Sequence, residues 1–233
     1  MNGHYAIAID GPSGAGKSSL ARRCAAAFGF LYVDTGAIYR TVGLAAHRAG
    51  IDRRDEEAVK ALLPGLDIGM GYNESGEQRM LLNGEDVSRE IRLPEISICA
   101  SDVSAHAAVR AFLLEMQRKL AREHSVIMDG RDIGTVVLPD AELKLFLTAS
   151  AEARAERRLK ELAEKGVAAD FEEVLRDIRY RDEQDTNRAV APLREAEDAV
   201  RIDTTELDFE QSFERLCAVI GERLGLSPLE ARA

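Results

Sequence analysis

The sequence predicts an α/β protein: a five-stranded parallel sheet flanked by helices, with a small antiparallel β insertion and a helical lid. Three features carry that reading. The chain opens as strand, glycine-rich loop, helix, strand, helix. From Leu66 to Ile91 the chain behaves differently, and glycines and turn signals take over. From Ala151 to Asn187 the chain is rich in Ala, Glu, Arg and Leu, and so polar that it is expected to cover the core as a mobile flap rather than to join it.

Each element follows in order. Tyr5-Ala6-Ile7-Ala8-Ile9 is a short apolar run closed by Asp10-Gly11, the mark of a buried strand. Ser18 to Phe28 places Leu20, Ala21, Cys24, Ala25 and Phe28 at helical spacing, with Gly29 as the stop. Phe30 to Val33 is a second strand and Ala37 to Gly50 a second helix. In the insertion, Arg79-Met80-Leu81-Leu82 reads as a strand. Turn signals flank it at Asn73-Glu74-Ser75-Gly76 and at Asn83-Gly84, and Asn-Gly is a strong hairpin signal. Helical periodicity returns from about Pro94 to Glu123. Ser125 to Asp129 and Leu143 to Thr148 are the third and fourth buried strands. Gly166 divides the charged stretch into two helices, the second restarting near Asp170. Ala199 to Asp203 is the fifth strand, Asp208 to Leu224 the closing helix, and Ser227 to Ala233 a frayed tail.

Composition narrows the function. The 233 residues carry 31 Lys+Arg against 41 Asp+Glu, a net charge of −10, which argues against a nucleic-acid polymer as partner. The basic residues are lopsided: 6 are Lys and 25 are Arg, and the planar fork of Arg suits phosphate and carboxylate ligands. Cys24, Cys99 and Cys217 are far apart, and His4, His47, His106 and His124 form no cluster, so neither a disulfide framework nor a zinc site is expected. With no apolar run of spanning length, and no basic head or cleavage site after Met1-Asn2-Gly3-His4, a cytoplasmic protein without a membrane partner is expected.

Gly11-Pro12-Ser13-Gly14-Ala15-Gly16-Lys17-Ser18 matches the phosphate-loop pattern and lies between a predicted strand and a predicted helix. Glycines let successive backbone N–H groups turn toward phosphate oxygens, and the helix that follows adds its N-terminal partial positive charge. Lys17 supplies a point charge for the β- and γ-phosphates, and the Ser18 hydroxyl is a candidate Mg²⁺ ligand. Neither an Asp-x-x-Gly switch nor an Asn-Lys-x-Asp motif is present, which excludes a GTPase. The third strand ends in Asp129-Gly130-Arg131-Asp132, where Asp129 suits a metal's water shell and Arg131 an anionic substrate. On helices, Arg154, Arg157 and Arg158 share one face, and Arg181, Asp185 and Arg188 another. These residues point to phosphoryl transfer under an arginine-bearing flap, and leave open kinases of other metabolites and a non-catalytic nucleotide sensor.

Four segments together resemble the bacterial cytidylate kinases, within the nucleoside-monophosphate kinase fold of P-loop proteins. They are Gly11 to Lys17, Asp34-Thr35-Gly36-Ala37-Ile38-Tyr39-Arg40, Asp129 to Val137, and Arg181-Asp182 through Asp185 with Asn187 to Leu193. The resemblance covers nearly the whole chain, in order and spacing, and includes the glycine-rich insertion. It implies transfer of the γ-phosphoryl group of ATP to CMP or dCMP with Mg²⁺, by a monomer. It implies a core with the phosphate loop over 1–34, and an acceptor domain over 35–105 with the β insertion at about 64–98. Core follows over 106–150, a lid over 151–187, and core with the closing helix over 188–233. Gly11 to Ser19, with Arg154, Arg157 and Arg158, would serve ATP. Thr35, Ser101, Arg110 and Asp132 would face the acceptor nucleoside. Arg40, Arg131 and Arg188 would hold its phosphate with Arg181 nearby, and Asp185 would touch the sugar. Lys17, Arg131 and Arg188 would be the catalytic cations. Some family members carry Gly where Ser18 stands and Thr where Ser19 stands, so either hydroxyl is a candidate for the metal beside Asp129. Thr35 stands where others have Ser and keeps the hydroxyl.

Overall fold

In a computed structural model, residues 4–74, 76–164 and 166–229 are described. The chain forms two compact units, residues 1–32 with 121–233, and residues 33–120.

The first unit is built on a parallel sheet in the order β2-β6-β1-β7-β8, where β1 is Ala6–Asp10, β2 Leu31–Asp34, β6 Val126–Gly130, β7 Leu143–Thr148 and β8 Val200–Asp203. Four of the five predicted strands shift by one residue at an end or at both; the fourth is unchanged. The sheet continues past its predicted edges because backbone pairing, not apolarity, ends a strand: Asp10 still pairs with Gly130 and with Phe146. Two helices, α1 (Lys17–Phe28) and α8 (Phe209–Leu224), pack on the sheet. Leu20, Ala21 and Cys24 from α1 and Leu216, Val219 and Ile220 from α8 meet Ile7, Ile9, Ile127, Leu145 and Ile202 in one buried cluster. Each leucine, isoleucine or valine side chain among them removed from water contributes about 1.5–3 kcal/mol.

Aspartate caps begin several of the helices. Asp34 accepts from Ala37 N–H at the start of α2 (Thr35–Arg48), and Asp170 from Glu173 N–H at the start of α7 (Phe171–Asn187). Asp208 and Gln211 form a reciprocal capping box on α8. Helix α1 differs: Gly16 sits at its N-cap with φ +82° and no side chain caps it.

The charged stretch divides as expected into α6 (Ala151–Glu164) and α7. The pair is not free of core, however. Ala155, Val174, Leu175 and Ile178 bury a small apolar cluster of their own, with Leu159, Leu162 and Phe171 packed against it. The tail is not loose as far as it is described, because Leu229 N–H donates to the Ala27 carbonyl at 2.6 Å; residues 230–233 lie outside the described residues.

In the second unit a short helix not expected from the sequence, α3 (Glu56–Leu62), precedes the insertion. The insertion is antiparallel as predicted, with β3 (Ile68–Tyr72), β4 (Gln78–Leu82) and β5 (Glu85–Asp86) in the order β3-β4-β5. Asn83 and Gly84, at φ +51° and +83°, make the tight turn between β4 and β5. Of the turn predicted at 73–76, Ser75 lies outside the described residues.

The helical stretch expected from about Pro94 to Glu123 is two helices, α4 (Pro94–Ser104) and α5 (Ala107–Glu123), bent by 101°. Polar side chains capture backbone groups at the break. Ser104 Oγ donates to the Ser101 carbonyl at 2.9 Å, and His106 Nε2 lies 2.8 Å from the Arg53 carbonyl oxygen. Helix α4 crosses α2 closely at Gly43, where a Cβ would stand 2.8 Å from Ala100 N. Among the described residues, no single helix is long and apolar enough to cross a membrane.

Candidate functional site

The phosphate loop spans Gly11 to Ser18 between β1 and α1. Its first glycine is obligatory: Gly11 has φ +149°, and a Cβ there would lie 1.9 Å from the Leu147 carbonyl oxygen on the neighbouring strand. Gly14 and Gly16 also have positive φ, which curls the loop so that it ends at the uncapped α1 N-terminus. Such an end, with backbone N–H groups and the helix dipole, is built to receive an anion. Lys17 is buried, and its ammonium donates to the Pro12 carbonyl at 2.7 Å. Burial, and then the neighbouring Arg131 guanidinium, push its pKa down to about 7. Phosphate oxygens brought against it would favour the charged form again.

Two carboxylates close strands beside this loop. Asp129, at the end of β6, accepts from Ser18 Oγ at 2.8 Å through one oxygen and from Tyr32 Oη at 2.9 Å through the other. A hydroxyl and a carboxylate so placed are hard oxygen donors of the kind that Mg²⁺ takes, alone or in pairs, while keeping most of its waters. Ser19 is exposed on the same turn, but it is Ser18 that meets Asp129. Asp10, at the end of β1, accepts from the backbone N–H groups of Ile133 and Gly134 at 2.8 and 2.7 Å. Burial pushes its pKa up to about 6 against the lowering effect of those two bonds. In the sequence Asp10 reads only as a strand terminator. Its signal was an acid at the buried end of a strand, just ahead of the glycine loop.

The arginines sort differently from their helical spacing. Arg154, Arg157 and Arg158 do not form one cluster. Arg154 is buried; it donates to the Ser13 carbonyl of the phosphate loop at 2.9 Å and grips Asp182 with both Nη atoms at 3.0 and 2.6 Å. Arg157 donates to Thr204 and to the Leu207 carbonyl in the loop after β8. Arg158 is exposed and pairs with Glu161. Asp182, which has no role legible in the sequence, thus joins α7 to α6.

Arg131 donates to Asp185 at 2.6 Å and to the Gly130 carbonyl at 3.2 Å. Arg188 is not on the helix with Arg181 and Asp185, because α7 ends at Asn187 and Arg188 is already extended. It still approaches Asp185 at 3.9 Å, and bonds the Ala191 carbonyl at 2.6 Å and Asp132 at 3.3 Å. Leu193 N–H donates back to the Asp185 carbonyl at 2.7 Å, folding this segment against the helix end. Arg181 is exposed on α7.

The remaining candidates belong to the second unit. Thr35, the first residue of α2, is buried. Arg40, one turn on, bonds Asp34 at 2.9 Å through Nη2, while its buried Nε has no hydrogen-bond partner among the described residues. An unpaired buried donor costs about 1–3 kcal/mol, so a donor kept in that state suits an anion that arrives later. Ser101 is exposed on α4, and Arg110 is buried on α5. The break between those helices links them: Ser104 donates to the Ser101 carbonyl, and Arg110 Nη1 donates to the Ser104 carbonyl at 3.1 Å while its guanidinium lies 5.3 Å from the Tyr39 ring centre.

Comparison with known proteins bears on this arrangement. The family model described as cytidylate kinase matches residues 7–222, a span that holds every candidate residue above. A cytidylate kinase of Syntrophotalea carbinolica is 48% identical over 223 residues, 96% of this chain and 94% of that protein. One of Geobacter sp. (strain M21) is 52% identical over 219 residues, 94% of this chain and 93% of the other. The crystal structure of an uncharacterized protein from Eubacterium ventriosum shares the fold alone, with a TM-score of 0.50 and 13% identity over 93% of this chain and 98% of that one. A phosphate loop on a parallel sheet, a β insertion, an arginine-rich helical pair and likeness across nearly all of the chain converge: this chain belongs to the cytidylate kinase family.

Proposed function

We propose that this chain transfers the γ-phosphoryl group of ATP to CMP or dCMP, giving CDP or dCDP and ADP, as a phosphotransferase of pyrimidine nucleotide metabolism. The observation that carries the reading is the family match over residues 7–222. In the step itself an oxygen of the acceptor's phosphate attacks the γ-phosphorus, and the bond from that phosphorus to the departing ADP oxygen breaks.

The loop from Gly11 to Ser19 takes the triphosphate, with Lys17 opposite the β- and γ-phosphates. Arg154, Arg157 and Arg158 serve the ATP side. For Arg157 the support is its place beside the loop after β8. For Arg154 it is the bond to the phosphate-loop carbonyl of Ser13, which makes its part there one of holding the loop. Mg²⁺, when bound, neutralises charge on the phosphates; Ser18 and Asp129 are the residues that would hold it.

On the acceptor side, Arg40, Arg131 and Arg188, with Arg181 nearby, neutralise the phosphate, and Thr35 faces the nucleoside. Ser101, Arg110 and Asp132 read cytosine: its N4 amino group donates to a carboxylate, while N3 and O2 accept from a guanidinium. Asp185 bonds the sugar hydroxyl and holds Arg131. Residues 1–34, 106–150 and 188–233 serve as core, 35–105 as the acceptor domain and 151–187 as a closing lid. The protein acts as a cytoplasmic monomer on nucleotides, not on nucleic-acid polymers or membranes.

The test is ADP release with Mg·ATP and a panel of CMP, dCMP, UMP, AMP, GMP and no acceptor. Turnover with CMP and dCMP well above the rest is expected. Turnover with another acceptor, or with none, would overturn the reading.

A further inference from the structure

We propose that Gln78, on the β insertion, is a positioning residue for the acceptor phosphate, acting through Asp34 on Arg40. The inference rests on the reading that Arg40 meets that phosphate. Gln78 opens β4 and is paired across the ladder with Tyr72 of β3. Its side-chain amide clasps both backbone groups of one residue: Asp34 N–H donates to Gln78 Oε1 at 2.7 Å, and Gln78 Nε2 donates to the Asp34 carbonyl at 3.2 Å. A primary amide is the side-chain group with a donor and an acceptor spaced to do this, so the contact pins Asp34 as an added β-bridge would.

Asp34 passes that constraint on. One carboxylate oxygen caps α2 through Ala37 N–H at 2.9 Å, and the other holds Arg40 Nη2 at 2.9 Å. The carboxylate is 8% exposed and the Arg40 side chain 22%, so the pair is fixed but not sealed. Gly36 leaves room over it: a Cβ there would stand 3.1 Å from Asp34 Oδ1 and 3.2 Å from Arg40 Nη1. With Nη2 holding Asp34, the buried Nε of Arg40, unpaired among the described residues, is a donor available to a ligand oxygen. The insertion therefore does more than extend the unit, for one of its side chains sets the backbone from which the phosphate-binding arginine is aimed.

The experiment compares CMP and ATP binding by calorimetry in the full-length protein for wild type, Gln78→Leu and Gln78→Glu. Gln78→Leu removes both amide contacts with Asp34 and the weaker one from Nε2 to Met80 Sδ at 3.2 Å. Gln78→Glu keeps the acceptor for Asp34 N–H and loses the donor, and it guards against a Leu variant that does not fold. For Gln78→Leu, Kd for CMP is expected to rise about tenfold, as for contacting residues that couple, with Kd for ATP within about twofold; Gln78→Glu should fall between wild type and Leu. In an Arg40→Met background, Gln78→Leu should change CMP binding by less than about twofold, because the group it positions is gone. Unchanged CMP binding in both Gln78 variants, equal losses for CMP and ATP, or full additivity with Arg40→Met would each overturn the proposal. A wild-type protein that binds ATP but not CMP would instead bring down the functional reading beneath it.

Discussion

Arg131 and Asp185, 54 residues apart in sequence, meet at 2.6 Å through Nε and Oδ2. The bond ties the loop after β6 to helix α7. It leaves the other Asp185 oxygen toward Arg188, at 3.9 Å. One carboxylate thus organises two of the three arginines proposed to hold the acceptor phosphate, Arg131 and Arg188.

Asp185→Ala is expected to lower kcat/KM for dCMP by at least about tenfold, the scale of a lost hydrogen bond between charged groups. CMP should suffer less, since its second hydroxyl offers another contact. Parallel kinetics with the two acceptors check this, and equal losses would remove Asp185 from the sugar while leaving it as the partner of Arg131.

Lys17→Met removes a charge proposed to face the transferred group in the transition state. A fall in kcat on the order of 10² or more is expected, with the melting temperature nearly kept. Folding is expected to tolerate the change because the ammonium's bond to the Pro12 carbonyl is offset by its burial. Near-normal turnover would end the phosphate-loop assignment.

Asp10→Asn replaces a double acceptor by a group whose amide nitrogen faces one of the two N–H donors. A loss of about 1–3 kcal/mol is expected, which for a chain of this size is a drop of several degrees in melting temperature. The pH dependence has a definite sign. Asp10 holds its proton more tightly folded than unfolded, with a pKa of about 6 against 3.8. The stability from that proton is present below pH 3.8 and is lost as pH rises to about 6. The wild-type margin over Asp10→Asn should therefore narrow across that window, which thermal melts at pH 4 and pH 6.5 would show. A margin that widens would place the ionised form as the preferred one.

Asp182→Ala strands Arg154, whose side chain is 5% exposed, without its bidentate partner. Because Asp182 itself is 26% exposed, water recovers part of the loss, and a cost of about 1–3 kcal/mol is expected. Urea unfolding measures it, and Arg154→Met with Asp182→Ala should cost less than the two single changes added together.

Much of this protein is settled locally. Apolar runs of four to six residues specify the strands of the sheet, and aspartates at Asp34, Asp170 and Asp208 start three helices by capping N–H groups three residues on. Positive φ at Gly11, Gly14 and Gly16 makes the phosphate loop a property of its own short sequence. The Asn83-Gly84 turn is readable for the same reason, since steric limits on φ and ψ act within a few bonds. Local spacing misled where a distant group intervened. The helical stretch from Pro94 to Glu123 divides where side chains seize backbone carbonyls, and Arg154, Arg157 and Arg158 are drawn to three different partners.

The tertiary structure alone decided who meets whom: Asp10 with Ile133 and Gly134, more than 120 residues away, and Asp34 with Gln78, 44 residues away. A polar side chain's period along the chain says which way it faces and not which carbonyl, amide or carboxylate waits there. That depends on strand order and register, which are chosen by burial of the whole apolar set. The sequence therefore carried the chemistry of the site, while its positioning residues came into view only once the sheet and the insertion had brought distant backbone together.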